Sequence, residues 1–444
     1  LRERSKPQQP SLDASRTVDE SGRTGRVGVI TILRDRDVRV VVVGMLVVML
    51  GWGILGPVLP LYARSFGVGY GSVGLLMSSF AFARLLFDLF AGSMIRRWGE
   101  RAVVTAGAVI VGVSSLLAAM APNFALLVIL RGAGGAGSSM FFIALMSYML
   151  RTAPRDRVGR VMSVFYGAFN VGVILGAPIG GFLGHAFGLA SPLVAYGIAC
   201  LASAVLYLKT IRDPEPTQDA PARGSLRDLR WSREFVTVLV SNAAYFWMVA
   251  AVFQTLLSPF ANDEIGLSLP TIGLLLSIPA ATELAALFPA GSLTDRLGRR
   301  AVLVPSTLGL AAVVGVLGMA NRPVTFAIAL VALGIVSGFG GVSQPVMLAD
   351  VIPERNRAAA IGVYRFVGDL GFVLGPLVAG EAASAFGFGT AFALSAIPSL
   401  VAVGFLLSIR ETGGDRVVRH AMARRTSAEK PAPAPPTAPP MGGP

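Results

Sequence analysis

Charge is scarce in this chain. Of its 444 residues only 14% are Asp, Glu, Lys or Arg, against roughly a quarter in a soluble domain. With 54% apolar residues and a mean hydropathy of +0.67, the apolar surface is too extensive for one soluble core, and an all-α polytopic membrane protein is expected. Cysteine is limited to Cys200, inside an apolar run, which excludes a disulfide framework within the chain. Histidine is limited to His185 and His420. No metal set and no nucleophile–His–acid arrangement can be assembled, so neither a metal site nor an enzyme is expected. The glycine run from Gly132 to Gly137 lacks the following Lys-Ser/Thr of a phosphate loop and sits in an apolar segment. It reads as close helix packing. With no nucleotide-binding segment, an ATP-driven pump is excluded and no cofactor is expected. Residues 1–36 hold no apolar core of a signal peptide.

What the chain has in quantity is apolar segments of about twenty residues, enough to cross about 30 Å of hydrocarbon as helices. Their continuity, without strict alternation, excludes a β-barrel. They fall at 40–62, 71–91, 102–121, 124–149, 159–186, 190–208, 234–259, 270–290, 301–320, 324–349, 358–382 and 388–408, twelve in all, numbered below as spans 1 to 12. The expected organisation is a disordered tail (1–37), a six-helix bundle (38–208), a linker (209–233) carrying Pro214, Pro216 and Pro221, a second bundle (234–409) and a basic, then Pro/Ala-rich tail (410–444). Arg96, Arg97, Arg101, Arg151, Arg155, Arg157, Arg160, Arg223, Arg227, Arg230, Arg296, Arg299, Arg300, Arg355 and Arg357 fall in loops on one side, with both tails, whereas the opposite loops hold only Arg64 and Arg322. By the positive-inside rule both termini are cytoplasmic. The net charge of +13 is thereby assigned to a membrane face with lipid phosphates as its partners, not to nucleic acid.

The chain repeats itself. Gly291-Ser-Leu-Thr-Asp295-Arg296-Leu-Gly298-Arg299-Arg300 has a degenerate copy 199 residues earlier, Gly92-Ser-Met-Ile-Arg96-Arg97-Trp-Gly99-Glu100-Arg101. Asp295 falls on Arg96, and Arg299 falls on Glu100. The offset holds at Pro60/Pro259, Gly74/Gly273, Pro154/Pro353, Gly172/Gly371, Gly176/Gly375 and Gly188/Gly387. It also sets Arg151 against Asp350. Two parallel six-span halves related by an axis along the membrane normal are a transporter architecture with a midplane site.

Twelve spans, this repeat and a G-x-L-x-D-R-x-G-R-R stretch between spans 8 and 9 resemble the major facilitator superfamily. Gly172-x-x-x-Gly176-Ala-Pro178-x-Gly180-Gly181 in span 5 resembles the glycine-proline motif of its drug:proton antiporter branch, with Ala177 where the family has proline. Span 11 carries the fuller form, Gly371-x-x-x-Gly375-Pro376-x-x-x-Gly380, and Arg131-x-x-Gly134 resembles a span-4 arginine motif. The resemblance covers about residues 40–408. It implies a secondary transporter working by alternating access as a functional monomer, driven by a proton gradient, in a bacterial inner membrane. Export of small hydrophobic compounds is the leading expectation. The rivals are proton-coupled uptake of a metabolite such as a sugar or organic acid, and a non-transporting sensor on the same fold.

The resemblance also gives roles to the charges. The loop acid Asp295 is expected to meet a helix start of the other half and hold the cytoplasmic gate, which a helix N-terminus favours. Arg96 cannot do so, and the first half is expected to pair Glu100 with Arg96 or with Arg151. Charges inside spans are costly and usually functional or paired. Arg84 and Asp88 in span 2, and Arg365 and Asp369 in span 11, each have i, i+4 spacing. With span 2 against span 11, two arrangements stay open: cross-half rungs Arg84–Asp369 and Asp88–Arg365, or pairing within each helix. Span 8 against span 5 would set Glu283 facing Asn170 and Tyr166. A desolvated carboxyl without a counter-charge can bind and release a proton, so Glu283 is the first proton-coupling candidate, then Asp369 and Asp88. The alternative is a permanently neutral carboxyl. Arg131, about 10 Å into span 4, is read as attracting an anionic substrate, tuning a nearby acid, or snorkelling outward. Trp52, Asn170, Asn242, Tyr245 and Gln254 are the remaining cavity candidates. Span 1 has no acid, which weighs against a cationic drug.

Overall fold

The computed structural model describes residues 36–152, 158–212, 229–353 and 356–411. Among these, regular structure is entirely helical. The tail and linker expectations for 1–37, 209–233 and 410–444 lie almost wholly outside the described residues. Ten helices are long and apolar enough to cross a membrane. Two of them, Tyr70–Ala119 and Arg357–Ser408, are pairs of helices joined end to end, broken at Gly99 (φ 80°) and Gly387 (φ 79°). Counting each as two is consistent with twelve spans.

Span 1 runs Arg36–Leu55 and continues, after a break, as Leu59–Arg64. Spans 2 and 3 are residues 70–98 and 100–119. Spans 4, 5 and 6 are Phe124–Thr152, Val158–Phe187 and Ser191–Thr210. Span 7 is Arg233–Asp263, with a π-helical stretch at Val249–Leu256. Spans 8, 9 and 10 are Leu269–Leu297, Arg299–Leu317 and Pro323–Val351. Spans 11 and 12 are residues 357–386 and 388–408.

Six glycines have left-handed φ: Gly67, Gly99, Gly188, Gly266, Gly298 and Gly387. They form three pairs at the repeat offset. A left-handed residue is cheap only for glycine, so the repeat is written into the backbone at each sharp reversal. One expectation is corrected here. The motif stretches are not loops: spans 2 and 8 stay helical through Trp98 and Leu297, and the reversal is one residue, Gly99 or Gly298, because that glycine turns the chain alone.

Within the first half, span 1 packs on spans 5 and 6, span 3 on span 6, and span 4 on the 2–3 pair. The second half repeats this with span 7 on span 11 and span 9 on span 12. The halves meet along two seams, span 2 with span 11 and span 5 with span 8. Both seams are closed at the arginine-poor end. A Cβ on Gly74 would fall 2.9 Å from the Pro376 carbonyl carbon, and one on Gly273 would fall 2.5 Å from the Ala177 carbonyl oxygen. Pro376 and Ala177 are themselves repeat partners, so the seams are two copies of one contact. The core of the second half takes in Val58 and Leu61 of the first at this end. At the arginine-rich end the core cluster of the second half (Leu229, Phe235, Met347, Leu406) contains no residue of the first. The molecule is sealed at the arginine-poor end, and toward the other the contact between the halves continues along the span 2–span 11 seam as far as Asp88 and Arg365.

Candidate functional site

At mid-depth, spans 1, 2, 4 and 7 enclose a void of about 300 Å3 lined by Trp52, Leu55, Gly56, Leu59, Met77, Arg131 and Gln254. Gln254 reaches it from the π-helical stretch of span 7, an irregularity often found at functional sites and not visible in the sequence. Arg131 is 3% exposed and does not snorkel. Its guanidinium carbon lies 4.5 Å over the Phe80 ring, and Phe80 lies 5.1 Å from Trp52.

Toward the arginine-rich end, Asp88 accepts from the Ser139 hydroxyl, and Arg365 of span 11 lies 3.9 Å from it across the seam. Asp369 lies in the field of Arg84, Asp88 and Arg365. The four charges therefore share one cluster. One cross-half rung, Asp88–Arg365, is within ion-pair distance, and Arg84–Asp369 is not a close pair. Ser139, which holds Asp88, was not singled out by the sequence.

Glu283 has a different partner from the expected one. Its Oε1 accepts from the Tyr245 hydroxyl at 3.1 Å, within its own half. Asn170 instead donates to the Tyr166 carbonyl. Span 8 touches span 5 near Gly273 and Gly181. Among the described residues no Lys or Arg pairs with Glu283. Tyr245 borders a second void of about 240 Å3 inside the second half, with Ser241, Ser306, Thr307, Gln344 and Ser399. It does not line the void holding Trp52. Asn242 is fully buried and donates to the Tyr364 carbonyl at 2.7 Å, because Gly368 brings span 11 onto span 7 there. Asn242 is thus a packing residue in this state.

The arginine-rich turns pair within each half. Glu100, 2% exposed, receives Arg151 at 2.8 Å and Ser147 at 3.0 Å. Its repeat partner Arg299 lies 2.7 Å from Asp350, off the line of a good hydrogen bond. The two bridges occupy equivalent positions with signs exchanged. Of the two partners considered for Glu100, the structure takes Arg151, not Arg96. The Asp295 side chain is 76% exposed and 3.7 Å from Arg299 of its own half, and residues 153–157, which lead into span 5, lie outside the described residues. The helix start at span 9 is capped instead by Glu411, which accepts from the Arg300 and Ala301 amides at 2.9 Å. Arg300 reaches the Leu406 carbonyl, as Arg101 reaches that of Leu208. Arg296 is exposed. Gly291 has open space where its Cβ would be, so no close helix approach explains it.

The span-5 and span-11 glycines divide by face. Gly172, Gly176 and Gly180 lie against Leu50, Gly53 and Ile54 of span 1, while Gly181 faces span 8. Gly371 and Gly375 lie against Trp247, and Gly380 faces Gly74. Pro178 and Pro376 sit inside these helices.

The arginine-poor end carries a latch that sequence reading passed over. Asp263 accepts from Arg64 at 3.0 Å and from the Tyr70 hydroxyl at 2.6 Å, with Arg64 over the Tyr70 ring. Arg64 and Asp263 are exact repeat partners meeting at the pseudo-twofold axis, and the offset was the signal that could have found them. Ser258 adds a hydrogen bond to the Pro57 carbonyl. The ion pair is about one third exposed on each side, and such pairs contribute ~0.2–1 kcal/mol. Asp263→Asn is therefore expected to loosen this end by only about 2–5-fold. Labelling of a Gln254→Cys probe by an impermeant maleimide from that side measures it, and no change, or a change above about 30-fold, contradicts the assignment.

Comparison with known proteins gives a consistent picture. The model of the Major Facilitator Superfamily matches residues 41–268 and 239–438. An uncharacterized MFS-type transporter, MJ1560 of Methanocaldococcus jannaschii, is 23% identical over 386 residues, 85% of this chain and 98% of that one. The quinolone resistance protein NorA of Staphylococcus aureus is 23% identical over 238 residues, 53% of this chain and 61% of NorA. Among solved structures, the nucleoside transporter NupG aligns with a TM-score of 0.71 at 16% identity, over 84% of this chain and 98% of that one. A bacterial homologue of the lysosomal transporter Spinster, in an inward-facing and unoccupied conformation, aligns with a TM-score of 0.66 at 16% identity, over 90% and 99%.

Proposed function

Because the chain belongs to the major facilitator superfamily and is a multi-pass membrane transporter, we propose that it exports small, largely hydrophobic compounds in exchange for protons, by alternating access in the bacterial inner membrane. The arginine-rich end is taken as cytoplasmic, so the described state is open inward and closed outward. The single observation that carries proton coupling is Glu283: a carboxyl inside a span, held by the Tyr245 hydroxyl with no cation beside it. Such a group is a proton carrier and not a fixed counter-charge. The Asp88–Asp369–Arg365 cluster toward the arginine-rich end supplies a second carboxyl site. Export is supported by the span-5 glycine motif and by the likeness to a protein named for quinolone resistance.

Glu283→Gln keeps an acceptor for Tyr245 and is expected to fold. In proteoliposomes it should lose flux driven by an imposed proton gradient and keep gradient-independent substrate exchange. Gradient-driven flux equal to wild type removes Glu283 from the mechanism. Substrate depletion, as opposed to accumulation, in energised cells tests the direction.

A further inference from the structure

The central void contains a cation with nothing to balance it. Arg131 lies almost wholly out of solvent, and its Nε has no hydrogen-bond partner. Among the described residues it forms no ion pair. Its surroundings are uncharged: the Phe80 ring beneath it, Tyr196 and Cys200 of span 6 nearby, and Trp52, Met77 and Gln254 around the void. No acidic residue lines that void. Asp88 and Glu283 are engaged elsewhere, with Ser139 and Tyr245.

This arrangement is built. A Cβ on Gly135 would fall 3.0 Å from the Phe80 Cα, so the glycine run of span 4 sets the Phe80 backbone directly against the turn that carries Arg131. The ring is thereby held under the guanidinium. A cation on an aromatic face gains some stabilisation, but the ring leaves the in-plane N–H groups unused, and those are the groups that match a carboxylate's two oxygens. A buried arginine without a carboxylate partner is costly inside a membrane. An anionic ligand removes that cost on entering.

We propose that this void selects small organic anions, an aromatic or aliphatic body bearing a carboxylate or similar group, with Arg131 as the counter-charge. Trp52, Leu55, Leu59 and Met77 take the apolar body, and Gln254 offers an amide for a further hydrogen bond. The inference rests on the transporter reading for the void being a substrate site, and it narrows that reading from hydrophobic compounds in general to acidic ones.

The test uses three compounds of nearly one shape: indole-3-acetate, the neutral indole-3-acetamide and the cationic tryptamine. Equilibrium binding to the purified full chain is expected to favour indole-3-acetate by at least about tenfold over both others. Arg131→Gln should abolish the preference, and Arg131→Lys should retain part of it. Equal or tighter binding of the amide by the wild-type protein overturns the inference, as does a preference that survives in Arg131→Gln. It is also overturned if chloride at equal concentration raises the melting temperature as much as indole-3-acetate, since the site would then hold only a counter-ion. The wild-type comparison decides even if the variants fail to fold. Flux in proteoliposomes separates the two readings. Anion-selective binding without transport defeats the transport reading and leaves the selectivity standing. Transport of the amide or amine without binding of the acetate defeats the selectivity and leaves transport standing.

Discussion

Gly74→Leu is expected to abolish transport while leaving both six-helix halves folded. Gly74 lies on the seam between spans 2 and 11, where an added Cβ would run into the Pro376 carbonyl and come within 3.4 Å of the Gly380 Cα. These neighbours are backbone, so no rotamer change relieves the overlap, and only separation of the two helices does. Overpacking of this kind costs about 1–3 kcal/mol. The cost falls only on the state in which the arginine-poor end is closed, and at its upper limit it shifts a two-state balance by on the order of 100-fold. The packing of each half on its own helices does not pass through Gly74, which is why folding survives. A Gln254→Cys probe in the central void should become reactive to impermeant maleimide from the arginine-poor side, with thermal unfolding close to wild type. Gly273→Leu at the repeat-related seam should do the same. Labelling and transport both at wild-type level would mean that this seam does not gate.

Arg151→Met is expected to be the most destabilising change among the surface-end charges. Glu100 is buried against Arg151 and Ser147, and removing one member of a buried pair costs about 3–5 kcal/mol. Replacing both members by apolar residues removes the stranded charge, so Glu100→Met with Arg151→Met should recover most of the loss. Unfolding in a denaturant titration across this double-mutant cycle measures it. A double variant no more stable than Arg151→Met would show that Glu100 is solvated or otherwise paired. Asp350→Asn in the second half should cost less, because Asp350 is one third exposed and its partner Arg299 also has Asp295 nearby.

The sign exchange between these bridges shows that the motif charges are complementary within each half. Identity at Gly99/Gly298 and exchange at Glu100/Arg299 and Arg151/Asp350 are properties of the chain alone. The pairing Glu100–Arg151 was one of two partners the spacing allowed.

The spans, their breaks and the twofold repeat were all legible in the chain, because hydrocarbon thickness dictates segment length and only glycine turns the backbone so sharply in one residue. Arg131, Trp52 and Gln254 could be named as cavity residues from their spans. Asn242, Tyr245 and Asn170 could not be separated from them, since helical spacing assigns a face but not the neighbour that covers it. Which carboxyl answers to which partner was decided by the packing of spans 2 on 11 and 8 on 5. Only the folded chain gives Glu283 the Tyr245 hydroxyl as its partner and brings the repeat partners Arg64 and Asp263 together.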